Sequence, residues 1–162
     1  RRDPAGHLVL IDLNGQYGNK LGDRIAAKHP EIIDRVEFLN RMPMDEFMGL
    51  TANCDVMLDT HPFSGGNTNY EAFAFATPIV TLPGDYMRGR VTAGQYKMMG
   101  FTDLIASSKE DYIEKALQVG TDRDYQMYKR HQISACHHHL YEDITATNEI
   151  AAFFESACQE LA

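Results

Sequence analysis

Tryptophan is absent from this sequence of 162 residues, cysteine occurs only three times, and every apolar run is short. The cysteines, Cys54, Cys136 and Cys158, are odd in number and form no C-x-x-C pair, which is typical of free thiols in a reducing compartment. No run approaches the roughly 20 apolar residues that cross a bilayer, and no secretory signal opens the chain. We therefore expect a cytoplasmic protein without membrane contact.

Positive charge is also scarce. The chain carries 15 Lys and Arg against 23 Asp and Glu, which gives a formal net charge of −8. Nucleic-acid binding depends on basic side chains that neutralise phosphates, so we expect no nucleic-acid partner, and any phosphate contact must be local. Hydrophobic residues at 44% and charged residues at 23% are ordinary globular values, and the length fits one domain over residues 1–162.

Short apolar runs alternate with helical patterns in the first two thirds of the chain. Strands are expected over 7–13, 36–39, 54–59, 78–82 and 104–106, and helices over 17–33, from 43, over 67–76 and over 91–99. Ser107 and Ser108 with Glu110 and Asp111 supply capping-box residues for a further helix that continues through Val119. This alternation predicts an α/β fold, a Rossmann-like parallel sheet with helices on both faces.

From residue 122 onward the pattern is helical, which predicts a C-terminal helical extension over about 122–162. Its last helix has an apolar face suited to the core or to a domain interface, formed by Ile144, Ile150, Phe153, Phe154, Ala157 and Leu161. In parallel sheets of this kind, ligands bind beyond the C-terminal ends of the strands. The loops after Leu13, Leu39, Asp59 and Leu82 are therefore the candidate binding edge.

The loop after the third expected strand, residues 59–68, reads DTHPFSGGNT. Gly65 and Gly66 let backbone N–H groups approach a ligand, and the first N–H groups of the next helix favour an anion such as a diphosphate. Asn67 and Thr68 add possible donors, and the Glu71 carboxylate suits two ribose hydroxyls. A plainer interpretation is equally open, because Thr68-x-x-Glu71 is also a capping box that needs no ligand.

The sequence around this loop resembles a known family. Residues 55–100, DVMLDTHPFSGGNTNYEAFAFATPIVTLPGDYMRGRVTAGQYKMMG, are similar to the C-terminal catalytic region of the O-GlcNAc transferase family, including its bacterial tetratricopeptide-linked and SPINDLY-like members. The similarity continues through RVEFLNRMPMDEF upstream and DLIASSKEDYIEKALQVGTD downstream. It implies a GT-B glycosyltransferase built from two Rossmann-like domains, of which this chain resembles the second.

The resemblance also implies a binding site for a nucleotide-sugar donor, with UDP-GlcNAc as the leading candidate. The implied site uses no metal or other cofactor. The turn at 65–69 would hold the diphosphate, Glu71 would bind the ribose, and the loop 41–44 with the Phe47 side chain would contact the base. Arg90, the second arginine of RGRVTA, matches a family arginine. The donor-binding residues expected on this basis are Met42, Phe47, Gly65, Gly66, Asn67, Thr68, Asn69, Glu71 and Arg90.

The family's catalytic Lys and His residues lie upstream of the region matched here, so the resemblance implies no catalytic residue in this chain. The partners it implies are an upstream N-terminal GT-B half, a protein acceptor and, as in the tetratricopeptide-linked members, tetratricopeptide repeats. A GDP-fucose-dependent protein O-fucosyltransferase is an open alternative. A non-catalytic module of the same fold, used for interaction or nucleotide sensing, is the alternative from a different class.

Other motifs favour plainer roles. Consecutive histidines on a helix, as at 137–139, point about 100° apart and do not converge on a metal. The loop 15–18, GQYG, lacks the second glycine of a dinucleotide motif. His61 and Arg88 are expected to face solvent or to serve structure, because the sequence identifies no catalytic partner for either.

Overall fold

Strands and helices alternate over the first half of the chain in the computed structural model, which describes residues 2–12, 15 and 17–160. Strand β1 pairs in parallel with β2, with Leu8 opposite Val36, and β3 pairs in parallel with β4, with Met57 opposite Ile79. The α/β class predicted from the sequence is confirmed. The strands are β1 (Leu8–Asp12), β2 (Val36–Asn40), β3 (Met57–Leu58) and β4 (Ile79–Val80).

Seven α-helices occupy the described part of the chain, with short 3-10 turns between some of them. Most begin and end near the expected positions, and Gly100, at φ +70, follows the helix that it was expected to close. The helices are α1 (Gly18–Lys28), α2 (Met44–Asn53), α3 (Asn67–Ala74), α4 (Val91–Met98), α5 (Lys109–Thr121), α6 (Arg123–Cys136) and α7 (Ile144–Glu160).

The capped start of α5 is confirmed in detail. The Ser108 hydroxyl accepts a hydrogen bond from the Asp111 N–H at 3.1 Å, and the Asp111 carboxylate accepts one from the Ser107 N–H at 2.8 Å. The Ser107 N–H lowers the pKa of Asp111, because it stabilises the charged carboxylate. Two otherwise unpaired backbone donors are thereby satisfied.

The core lies where α3, α4 and α6 pack on β4. Its largest fully buried side chains are Tyr96, Phe73, Ile79, Leu104 and Ile133. The ring of Tyr96 packs edge-on against that of Phe73, with centroids 5.0 Å apart. This packing holds α3 against α4, the two helices whose N-terminal ends border the candidate site.

The sheet is less continuous than the sequence predicts. It consists of two two-stranded sheets, β1-β2 and β3-β4, and a cavity of about 1170 Å³ lies between them. The expected strand at 54–59 shrinks to Met57–Leu58 because α6 captures the preceding backbone: Arg130 donates to the carbonyl of Cys54 at 2.7 Å, and Gln126 donates to that of Asp55 at 2.9 Å. These carbonyls are no longer available to a neighbouring strand.

The fifth expected strand, 104–106, is reduced to a single parallel bridge between Thr81 and Ile105. Beyond it, the Tyr96 hydroxyl accepts a hydrogen bond from the Ile79 N–H and donates one to the Ile79 carbonyl. A side chain therefore occupies the hydrogen-bonding groups that a longer fifth strand would use.

Helix α7 forms as expected, but its apolar face is not part of the core. Phe153 and Phe154 are 68% and 62% exposed, and Ile150 is 58% exposed. The prediction of core packing is therefore wrong for these residues within this chain. Leu161, the end of the expected face, and Leu13, the end of the first expected strand, lie outside the described residues. No helix in the described ranges is long and apolar enough to cross a membrane.

Candidate functional site

The glycine turn leads directly into α3, whose N-cap residue is Gly66. No side chain caps this helix in the described chain, so the capping-box interpretation of Thr68 and Glu71 is wrong. Among the described residues, the backbone N–H groups of Gly66, Asn67 and Thr68 have no acceptor. Asn67 and Thr68 are also exposed, so α3 presents free donors at the positive end of its dipole.

The peptide of Gly65 is held on both sides. Its N–H donates to Asp59 Oδ1 at 2.9 Å, and its carbonyl accepts from Asn69 Nδ2 at 2.9 Å. A Cβ at Gly65 would collide with the side-chain amide of Asn69, which explains why glycine is needed there. The turn thus has a fixed conformation without any ligand.

Asp59 anchors the turn to the surrounding elements. Besides the Gly65 N–H, its carboxylate accepts hydrogen bonds from the hydroxyls of Thr81 at 2.6 Å and Thr92 at 2.7 Å. The carbonyl of Asp59 accepts from the Tyr112 hydroxyl at 3.0 Å, and burial, with the nearby Asp59 charge, raises the pKa of Tyr112 to about 12. Sequence reasoning missed this role, and an acidic residue at the end of an apolar strand is the only signal that pointed to it.

A second loop, residues 84–90, is fastened to the turn through Ser64. The Ser64 N–H and hydroxyl both donate to the Arg88 carbonyl, at 2.8 and 3.1 Å, and the hydroxyl accepts from the Val91 N–H at 3.1 Å. Within this loop, Gly89 lies against the backbone before the turn, where a Cβ would be 2.7 Å from the carbonyl oxygen of Pro62. Arg90, the expected donor-binding arginine, is exposed beside these contacts.

Glu71 lies one turn into α3 and is half-buried. In the part of the chain that the structure describes, its carboxylate has no hydrogen bond or ion pair. Because a half-buried carboxylate without partners is costly, this group is suited to accept hydroxyl donors from a ligand.

Asn69 differs from the other expected contact residues. It is only 2% exposed, and its amide donates to Gly65 O, to Thr92 Oγ1 at 2.7 Å and to Gln95 Oε1 at 3.3 Å. The side chain therefore lies beneath the turn and supports it, rather than facing a ligand. This burial depends on packing against α4, which is distant in the sequence, so the position of Asn69 in the first turn of α3 does not predict it.

Met42 and Phe47 belong to a neighbouring unit, the loop after β2 and the first turn of α2. Both are half-buried, and Phe47 lines the cavity between the two sheets. Helix α2 packs against α3, which brings the element carrying Phe47 alongside the one carrying Glu71. Within the described residues, neither Met42 nor Phe47 is hydrogen bonded to the glycine turn.

The other loop that resembles a phosphate-binding turn, at the end of β1, is already occupied by a side chain. Asp12 accepts from the Gly18 N–H at 2.7 Å, and a Cβ on Gly18 would lie 2.7 Å from Asp12 Oδ2. Gln16 of the expected loop 15–18 lies outside the described residues. A carboxylate bound at the start of α1 opposes an anion, whereas among the described residues no carboxylate accepts from the N–H groups of Gly66, Asn67 or Thr68 at the start of α3.

The histidines do not assemble into a metal site. Residues 137–139 form a 3-10 turn after α6, and over 2–12, 15 and 17–160 no three His, Cys, Asp or Glu side chains lie together as metal ligands would. His61 is exposed and precedes Pro62 through a cis peptide bond.

The comparisons with known proteins agree on one family. The family model of glycosyl transferase family 41 matches residues 9–145. The UDP-N-acetylglucosamine--peptide N-acetylglucosaminyltransferase of Caenorhabditis elegans is 31% identical over 91 residues, 56% of this chain and 8% of that protein. The probable UDP-N-acetylglucosamine--peptide N-acetylglucosaminyltransferase SPINDLY of Solanum lycopersicum is 32% identical over 68 residues, 42% of this chain and 7% of that protein.

A solved structure of a mutant O-GlcNAc transferase from Thermobaculum terrenum superimposes with a TM-score of 0.80 at 29% identity, covering 96% of this chain and 32% of that chain. The fold is therefore the Rossmann-like α/β layer of a GT-B glycosyltransferase. The chain belongs to glycosyl transferase family 41, and it spans less than a tenth of the curated relatives named above.

Proposed function

We propose that this chain is the donor-binding domain of an inverting protein O-glycosyltransferase, with UDP-GlcNAc as the donor. The observation that carries the proposal is the start of α3, where three backbone N–H groups lie one turn from the carboxylate of Glu71 and none of these groups has a partner among the described residues. The N–H groups are suited to a diphosphate, and the Glu71 carboxylate is suited to the hydroxyls of a ribose. The relatives in Caenorhabditis elegans and Solanum lycopersicum are named for UDP-N-acetylglucosamine, which supports the choice of UDP-GlcNAc.

The proposed role of the turn in transfer is electrostatic. As the sugar leaves the donor, negative charge grows on the departing diphosphate, and N–H groups fixed in advance stabilise that charge without a metal. Asn67, Thr68 and the exposed Arg90 add donors at the same edge, Arg90 with a full positive charge. Gly66, whose Cβ position is open, allows the close approach of the diphosphate, and Asn69, packed beneath Gly65, holds the turn in shape.

Base recognition is assigned to the unit next to the turn. Phe47 provides a flat apolar ring for stacking, and the loop containing Met42 provides backbone groups that can read the edge of the base. The packing of α2 against α3 supports this assignment, because it places the base-binding and ribose-binding elements side by side.

The reaction itself requires partners. In this proposal residues 1–162 act as one domain with a helical extension from about 122. An upstream GT-B half supplies the catalytic Lys and His, and tetratricopeptide repeats are a further partner. The acceptor is a Ser or Thr hydroxyl of a cytoplasmic protein. The isolated chain is expected to bind nucleotide weakly and to transfer no sugar.

Calorimetric titration with UDP, GDP and NAD tests the proposal, both for the chain alone and for the protein that includes the upstream half. UDP is expected to bind most tightly, and Glu71→Gln is expected to weaken it by about tenfold because the ribose loses a charged acceptor. Glu155→Gln, an exposed carboxylate on α7, is the matched control and should change nothing.

The outcomes separate the alternatives. Preference for GDP would replace UDP-GlcNAc by GDP-fucose as the donor. Binding of UDP without sugar transfer, when the upstream half is present, would favour the non-catalytic sensing module. Failure of every nucleotide to bind in that longer protein would contradict the proposal.

A further inference from the structure

A closed ring of buried hydrogen bonds joins the glycine turn to α4. Thr92 Oγ1 donates to Asp59 Oδ2 and accepts from Asn69 Nδ2, both at 2.7 Å. Asp59 and Asn69 then hold the N–H and the carbonyl of Gly65, each at 2.9 Å. Thr92 is 0% exposed, so its hydroxyl is shielded from water and can serve only these two partners.

We infer that Thr92 is a positioning residue for the donor diphosphate, an inference that rests on the proposed function. Thr92 is fully buried and cannot touch a ligand. Its hydroxyl fixes the relative position of the two side chains that clamp the Gly65 peptide, and that peptide sets the direction of the free N–H groups that follow it. Charge stabilisation by such donors depends on their orientation. A change at Thr92 that shifts the turn would therefore misalign the N–H groups and weaken their hydrogen bonds to the diphosphate.

Asp59 and Asn69, which together clamp the Gly65 peptide, have other hydrogen bonds that remain when the Thr92 hydroxyl is removed. Without it, Asp59 keeps the hydroxyl of Thr81, and Asn69 keeps its longer bond to Gln95 at 3.3 Å. Asp59 and Asn69 would then be linked only through the Gly65 peptide. The expected result is a folded protein whose turn is held less accurately.

Thr77 provides a matched control for the purely structural effect. It is also 0% exposed, and its hydroxyl donates to the carbonyl of Thr51 at 2.9 Å. It lies beyond the C-terminal end of α3, opposite the turn, and has no bond to the ring. Thr77→Val therefore removes a buried hydroxyl bond of similar kind without touching the donor edge.

The test compares Thr92→Val, Thr92→Ser and Thr77→Val in the protein that includes the upstream half, by UDP calorimetry and thermal melting. Both valine variants should lower the Tm, Thr92→Val more than Thr77→Val, because the Thr92 hydroxyl makes two hydrogen bonds, one of them to a carboxylate, so UDP binding is measured well below the Tm of each. Thr92→Val should weaken UDP binding about fivefold or more, because the aligned donors are partly lost. Thr92→Ser, which keeps the hydroxyl, and Thr77→Val should bind UDP as the unchanged protein does.

If Thr92→Val does not fold, Thr92→Ala takes its place under the same criteria. UDP binding that is equally strong in the Thr92 and Thr77 variants overturns the inference and leaves the proposed function intact. Absence of UDP binding by the unchanged protein overturns both. Recovery of affinity in Thr92→Ser supports the positioning role, since a merely structural effect would follow the Tm instead.

Discussion

The hydroxyl of Tyr96 satisfies both backbone groups of Ile79, accepting from its N–H at 2.9 Å and donating to its carbonyl at 2.7 Å. Both residues are fully buried, and burial raises the pKa of Tyr96. A helix side chain here replaces part of a strand, and it fixes the distance between β4 and α4.

Tyr96→Phe is expected to destabilise the fold by about 2–3 kcal/mol, because it leaves a buried N–H and a buried carbonyl without partners. Urea denaturation measures the change. Tyr128→Phe is the control: Tyr128 is exposed and its hydroxyl has no partner among the described residues, so its effect should stay within about 0.5 kcal/mol. Equal effects of the two variants would contradict the assigned role of Tyr96.

Gly65→Ala is expected to lower the free energy of unfolding by about 1–3 kcal/mol, because the new Cβ displaces the Asn69 amide from beneath the turn. Gly94→Ala, in the middle of α4, should instead stabilise by about 0.5–1 kcal/mol, because no described atom lies within 4 Å of its Cβ position. Thermal melting of the two variants checks the prediction, since Gly65→Ala should lower the Tm and Gly94→Ala should raise it. A neutral Gly65→Ala would show that the turn relaxes freely.

Acid should weaken the start of α5 through Asp111. The Ser107 N–H lowers the pKa of this carboxylate in the folded state, so its contribution to stability is present above about pH 4 and is lost as the pH falls through the lower native pKa. Asp111→Asn should therefore lower the free energy of unfolding at neutral pH. The further decrease in this free energy below about pH 4 should be smaller in the variant than in the unchanged protein. Denaturation curves at about pH 3 and pH 7 measure both effects, and parallel curves for the two proteins would contradict the assignment.

The thiols should differ in reactivity. Burial raises the pKa of Cys54, and its thiol donates to the Thr51 carbonyl at 3.2 Å, whereas Cys158 is exposed on α7. Iodoacetamide at about pH 8 should alkylate Cys158 at least about tenfold faster than Cys54, because the thiolate is the reactive form. Peptide mass spectrometry gives the two rates, and similar rates would show that α2 opens readily.

Local chemistry made much of this fold predictable. Ser108 and Asp111 start α5 as their spacing indicates, and the Gly66-Asn67 boundary starts α3 close to the expected residue. Each of these features depends on residues within a few positions of one another, so the sequence pattern contains the whole cause.

Features that depend on distant residues could not be predicted in this way. Asp59 and Thr92 lie 33 positions apart, and no periodicity relates them. The capture of the Asp55 carbonyl by Gln126 spans 71 positions and shortens a strand that the apolar pattern alone predicts to be longer. The pattern on α7 likewise identified an apolar face at Phe153 without indicating what would cover it.

The clamp on the Gly65 peptide also has a kinetic consequence. A flexible loop must be ordered when its ligand arrives, and that ordering slows capture and lowers affinity. Here the N–H groups at the start of α3 are aimed before any encounter, so nucleotide capture should proceed close to the rate of productive collision. Differences in affinity among nucleotides should then be expressed in how long each one stays bound.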